Sequence, residues 1–123
     1  MNYGISKVTI YVDDQKQALD FWTKKMGCDI TTDLAYSDDI RWLEVTPPGG
    51  GARLVLHKRT AESPAPSPMG HALFSTPDIK ATCAELADRG VTFTQSPVQE
   101  SWGWSAVFTD NEGNHFHISQ EPN

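Results

Sequence analysis

The sequence predicts an α+β chain: two tandem βαβββ units whose mostly antiparallel sheets curve into a half-barrel around a cavity. Three observations carry this expectation. Short segments of strand-type alternation are interrupted by only two stretches of helical periodicity. A proline-rich segment, TAESPAPSP at 60–68, divides the 123 residues near their middle. After that segment the same order of elements starts again. The 123 residues suit one domain, 1–123, built from repeat units 4–59 and 69–121 with the linker 60–68 between them.

Lys7-Val8-Thr9-Ile10-Tyr11-Val12 alternates, placing Val8, Ile10 and Val12 on one strand face and Lys7, Thr9 and Tyr11 on the other. Asp13-Asp14 supplies an N-cap for a helix from Gln15 to Met26, with Ala18, Leu19, Phe21, Trp22 and Met26 at helical spacing. Gly27 fits the left-handed position that ends it. Strands are expected over Cys28–Leu34, Ile40–Thr46 and Arg53–Lys58, the last two joined by the turn Pro47-Pro48-Gly49-Gly50-Gly51. In the second unit the expected strands are His71–Thr76, Val91–Thr94, Trp104–Thr109 and Asn114–Ser119. Pro77-Asp78 opens a helix to Arg89, Gly90 ends it, Gln95–Ser101 reads as a loop, and Asp110-Asn111-Glu112-Gly113 reads as a tight turn.

The two units align at a nearly constant shift. Lys7 matches His71 and Asp14 matches Asp78 at 64 residues, Gly27 matches Gly90 at 63, and Leu54 matches Phe116 at 62. A four-stranded sheet with one covering helix has one face buried and one face open to other uses.

Composition narrows the function. Four Trp, 5 Phe and 3 Tyr supply bulk for a core, and 21% charged residues is a globular figure. A net charge of -6 argues against nucleic acid as a partner and against docking on anionic membranes. No apolar run approaches the roughly 18–20 residues of a membrane span. The start MNYGISKVTIYVDD carries no basic-then-apolar leader pattern, so a cytoplasmic location is expected. Cys28 and Cys83 share no metal or redox spacing and read as reduced structural thiols.

One run of residues is more specific. Ala18-Leu19-Asp20-Phe21-Trp22-Thr23-Lys24-Lys25-Met26-Gly27, following a strand and an acidic turn, resembles the vicinal oxygen chelate superfamily, which includes glyoxalase I, bleomycin-resistance proteins and extradiol dioxygenases. Met69-Gly70-His71-Ala72-Leu73 and Asp110-Asn111-Glu112-Gly113-Asn114 resemble the same group's strand opening and last turn. The resemblance implies a cavity that, in the metal-dependent members, holds one divalent ion with four side chains on the first and fourth strands of each unit. Carried over, those positions are Lys7, Val55, His71 and His117. His71 and His117 are the metal candidates if an ion binds; Val55 has no donor atom, and an ammonium at Lys7 repels a divalent cation. No cofactor is therefore expected, with a divalent metal as the alternative. His57, two residues beyond Val55, would join such a site only with a shifted register.

The remaining candidates surround that position. Trp42 and Glu44 share a strand face opposite Leu43 and Val45. Glu44 could pair with Lys7 as a salt bridge, or act as a proton-shuttling base if the protein is an enzyme, and Lys7 could instead hold an anionic ligand. Trp102-Gly103-Trp104 either fills core and loop or forms an aromatic wall, with Trp42 and Tyr11, against a flat ligand. The expected ligand-binding set is Lys7, Tyr11, Trp42, Val55, His57, His71, Trp102, Trp104 and His117, with Glu44 as the catalytic candidate.

Two functions compete, beside a structural or regulatory module that only the acidic surface would favour. One is a metal-free protein that binds a small planar or amphiphilic molecule. The other is a metal-dependent lyase, isomerase or dioxygenase of the same superfamily with an altered ligand set. The resemblance also implies a homodimer.

Overall fold

A computed structural model of the chain describes residues 1–66 and 72–122. The chain divides into two compact units, Met1–Pro64 and Ala65–Asn123, at a point inside the proline-rich segment. Each is a βαβββ unit with its own four-stranded sheet.

In the first unit, strand β1 (Lys7–Val12) is followed by helix α1 (Gln15–Asp20), which widens into a π-helical stretch over Phe21–Lys25. Strands β2 (Asp29–Ala35), β3 (Arg41–Thr46) and β4 (Arg53–Lys58) then form a meander. The sheet order is β1-β4-β3-β2, with β1 parallel to β4 and the other pairs antiparallel. The one parallel pair follows from the crossover through the helix and two strands, which is long enough to return the chain in the same direction.

The helix begins where Asp14 caps it, the carboxylate accepting from Gln17 N at 3.0 Å. It ends where Gly27 takes φ 77° and Cys28 N donates to Trp22 O at 2.9 Å. The expected single helix Gln15–Met26 thus has two halves, because Met26 N donates to Phe21 O, five residues back, at 3.1 Å. Ala18, Phe21, Trp22 and Met26 are buried, as are Ile10, Val12, Leu43, Val45, Leu54 and Leu56 of the sheet. Each large apolar side chain buried there contributes roughly 1.5–3 kcal/mol.

The second unit repeats this plan with β5 (Leu73–Ser75), α2 (Ile79–Asp88), β6 (Thr92–Glu100), β7 (Gly103–Thr109) and β8 (His115–Gln120), in the order β5-β8-β7-β6. Again the first strand of the unit is parallel to the last. Asp78 caps α2 by accepting from Ala81 N at 3.1 Å. Phe74, Phe93, Phe108 and Phe116 meet edge, tilted or stacked at 5.5–6.0 Å between ring centres. The last turn is held by Asp110, whose Oδ1 accepts from Glu112 N and Asn114 N at 2.9 Å.

Two expectations are corrected here. Gln95–Ser101 is not a loop: β6 runs on to Glu100, through Pro97. Proline is tolerated there because β6 is the outer strand of its sheet and its pairing with β7 is interrupted between Gln95 and Val98. The strand expected over His71–Thr76 is described only as Leu73–Ser75. His71 and the Met69-Gly70 motif lie outside the described residues, as does the end of the 60–68 linker.

Gln15 was not singled out by its sequence, yet it joins helix to sheet. Its Nε2 donates to Arg41 O at 2.7 Å and Leu56 O at 3.0 Å, and its Oε1 accepts from Arg41 N at 3.0 Å. The β3–β4 ladder pairs Glu44 with Val55 and Val45 with Leu54, so the carboxamide stands in for a peptide group beyond the ladder's end. Gln15→Leu leaves these backbone groups without that partner and is expected to lower stability by about 2–4 kcal/mol, read by urea denaturation.

Both cysteines are buried and unbridged. Burial, reinforced by the neighbouring Asp29 carboxylate, pushes the Cys28 thiol up to about 12, and burial raises that of Cys83. A thiol reagent at neutral pH is therefore expected to label neither residue until denaturant unfolds the chain, a contrast that a timed labelling experiment reads directly.

Candidate functional site

Strand alternation and register determine which side chains share the first sheet's polar face. Lys7 is opposite Arg53, Thr9 opposite Val55, and Tyr11 opposite His57. Val55 is in turn opposite Glu44, and Glu44 opposite Thr32. Three rows result: Lys7 and Arg53 at one end; Thr9, Val55, Glu44 and Thr32 in the middle; Tyr11, His57 and Trp42 at the other end. Val55 apart, the apolar residues Ile10, Val12, Leu43, Val45, Leu54 and Leu56 of β1, β3 and β4 point the other way, toward the helix.

Glu44 is the centre of this face. Its side chain is only 3% exposed. Oε2 accepts from Lys7 Nζ at 2.8 Å and from Trp42 Nε1 at 2.7 Å. Oε1 accepts from Arg53 Nη1 at 3.1 Å and lies 3.4 Å from Thr32 Oγ1. A carboxylate has about four lone-pair sites, and these donors occupy them. The Lys7 hydrogen bond, then that of Trp42, outweigh burial and, with Arg53, hold the Glu44 carboxyl down at about 2.

This arrangement bears on the two parts expected of Glu44. A proton-shuttling base needs an open lone pair and an affinity for protons near the working pH. In this structure the lone pairs of Glu44 are engaged and its carboxyl is held low, the arrangement of the expected Lys7 salt bridge with Arg53 as a second cation. Arg53 and Thr32 were overlooked among the sequence candidates. The signal for Arg53 was present: it lies two residues from Val55 and therefore shares its face.

At the far end, the His57 ring meets Tyr11 at 5.6 Å and 63° and Trp42 at 6.0 Å and 87°, both edge-on. His57 Nδ1 is 2.8 Å from Lys58 O. A carbonyl only accepts, so in the neutral ring Nδ1 carries the hydrogen and Nε2 keeps its lone pair. Six of the expected residues, Lys7, Tyr11, Trp42, Glu44, Val55 and His57, are thus brought onto one surface.

The described candidates of the second unit do not share a face. His117 is opposite Val107 and Leu73, on the face turned away from α2. Trp104 is opposite Gln120 and lies three residues from Val107, which puts it on the α2 side. There Lys80 Nζ sits 4.5 Å from the centre of its ring. Trp104 therefore does not line a wall with His117, because an odd spacing along a strand reverses the side chain. Trp102 is 50% exposed in the turn before β7. Gly103 cannot carry a side chain, since a Cβ would lie 2.3 Å from Gln120 O at φ 144°.

The first sheet's residues do not fit a metal ion. Val55 offers no lone pair, Lys7 presents an ammonium, and both oxygens of Glu44 are engaged by Lys7 and Arg53. Among the described residues no cluster of three or more His, Cys, Asp or Glu is placed to hold one.

Comparison with known proteins extends this picture. A family model described as the glyoxalase/bleomycin resistance protein/dioxygenase superfamily matches residues 4–118. The YetH protein of Bacillus subtilis (strain 168) is 34% identical over 116 residues, covering 94% of this chain and 97% of its own. The crystal structure of TnmS3, an antibiotic binding protein from Streptomyces sp. CB03234, superposes with a TM-score of 0.85 at 32% identity, over 98% of each chain. A superfamily member from Sphaerobacter thermophilus gives the same TM-score of 0.85 at 30% identity, again over 98% of each chain.

The buried carboxylate makes stability depend on acid. With the folded-state value near 2 against an ordinary 4.5, the contribution of Glu44 is complete above about pH 5 and is lost as pH falls toward 2. Lys7 and Arg53 are each nearly half exposed, so solvent screening holds this contribution to about 1–2 kcal/mol. Glu44→Gln is expected to remove that part of the acid dependence, measured as the denaturation midpoint between pH 5 and pH 2.

Proposed function

Since the chain belongs to the glyoxalase/bleomycin resistance protein/dioxygenase superfamily, we propose that it is a binding member of that group. It takes a small planar or amphiphilic molecule against the polar face of its first sheet, without a metal ion. The observation that carries this reading is the Lys7–Glu44–Arg53 cluster. It puts an ammonium of the protein's own, at Lys7, where the resemblance implies a ligand to a divalent ion, and its carboxylate has no lone pair left for one. The edge-on trio Tyr11, His57 and Trp42 supports a flat guest, because ring edges and faces at such spacings accept a further aromatic surface. TnmS3, described as an antibiotic binding protein, is a relative whose role agrees with this reading.

The protein acts in this reading as a homodimer in the cytoplasm. The dimer follows from the superfamily resemblance, and two buried unbridged thiols suit a reducing compartment. Among the described residues no helix is long and apolar enough to cross a membrane.

Two measurements test the proposal. Trp42 lies on the proposed surface, so tryptophan emission is expected to be quenched in a saturable way by at least one compound in a panel of polycyclic antibiotics and aromatic metabolites. Silence across the panel overturns the binding role. Protein purified without chelator is expected to carry less than about a tenth of an equivalent of divalent metal, the level of trace contamination. Stoichiometric metal that is lost in His117→Ala would instead establish the lyase, isomerase or dioxygenase alternative.

A further inference from the structure

The polar face of the first sheet has a direction, and we infer from it that the preferred guest is a flat aromatic molecule bearing an acidic oxygen group, which Lys7 and Arg53 receive. This rests on the binding role proposed above and names the ligand class of the same surface. Two cations share one carboxylate, so the Lys7–Glu44–Arg53 cluster carries one uncompensated positive charge.

Both cations can still donate outward. The Lys7 side chain is 42% exposed and the Arg53 side chain 46% exposed, although each is anchored to Glu44. Lys7 spends one of three N–H groups on the carboxylate and Arg53 one of five. The anchoring also pre-orients them, because Glu44 holds both head groups on one side of the sheet before any guest arrives. A carboxylate, phenolate or sulfonate placed over the pair brings the local balance to two cations and two anions through charge-assisted hydrogen bonds.

The aromatic end lies at a defined distance. Tyr11 is four residues along β1 from Lys7, and His57 four residues along β4 from Arg53. At 3.3 Å per residue this is about 13 Å, roughly the length of a three-ring aromatic skeleton with one substituent. Between the two ends lie Thr9, Val55 and Glu44, the Glu44 carboxylate only 3% exposed and already engaged by the two cations. A cationic guest of the same shape would meet Lys7 and Arg53 with like charge.

The test uses three matched probes: anthraquinone-2-carboxylate, its uncharged carboxamide and its cationic aminomethyl analogue, titrated by calorimetry. The carboxylate is expected to bind about tenfold more tightly than the carboxamide, which is what one charge-assisted hydrogen bond adds. The aminomethyl compound is expected to bind more weakly than either. The preference for the carboxylate is expected to shrink in ~1 M salt, where the screening length falls to about 3 Å. In Lys7→Gln and in Arg53→Gln it is expected to fall below about threefold. Arg53→Gln keeps the Lys7–Glu44 pair, so it carries the test if Lys7→Gln does not fold. Equal binding of carboxylate and carboxamide to the unaltered protein overturns the acid preference and leaves the binding role standing. A preference that persists in both variants overturns the assignment to these two residues. Binding of none of the three probes overturns the acid preference and counts against the binding role as well.

Discussion

A carboxylate withdrawn from water beneath two half-exposed cations fixes the first sheet. Burying Glu44 alone would cost several kcal/mol, so the fold must bring donors to it. Those donors come from β1, β2, β3 and β4 together: Lys7, Thr32, Trp42 and Arg53. Their convergence requires one register among the four strands. A slip by a single residue would turn Lys7 or Arg53 to the helix side and strand the charge among Ile10, Leu54 and Leu56. The same requirement lays out the rest of the surface, since it places Tyr11, His57 and Trp42 together at the other end.

Much of this was legible in the chain, and the limits follow from what alternation encodes. Period-two patterning assigns a residue to a face, and it did so for Lys7, Tyr11, Trp42, Glu44 and Val55. It does not say which residue stands opposite on the neighbouring strand. Hence, although the Lys7–Glu44 pair is readable from the chain, Arg53, at the opening of β4, is not readable as a second partner of the same carboxylate. Trp104 shows the converse. Its aromatic character suits either core or wall, and the register places it on the α2 side. The stretch Gln95–Ser101, with Pro97 in it, reads as a loop because a sequence does not reveal that its strand is outermost.

The two units share a plan and differ in how helix meets sheet. In the second unit β7 and β8 pair without interruption from Trp104–Gln120 to Thr109–His115, and Gln120 of the strand accepts from Ile79 N at the helix start at 2.7 Å. In the first unit the position matching Ile79 is Gln15, and the amide reaches the other way, from helix to strand. The shorter β3–β4 ladder and the polar wedge belong together, because backbone groups that leave a ladder need another partner. A polar residue at a helix start resembles solvent-facing sequence, which is why the wedge could not be read from composition.

The outer strands have a consequence for behaviour at high concentration. A sheet edge presents unpaired backbone groups that can recruit a strand from another molecule. β6 carries a proline and two irregularities of register, and β2 carries one irregularity with exposed aspartates at positions 29 and 33. Each interrupts the flat, repeating template that fibril growth needs. These two edges are thereby poor templates for end-to-end polymerisation.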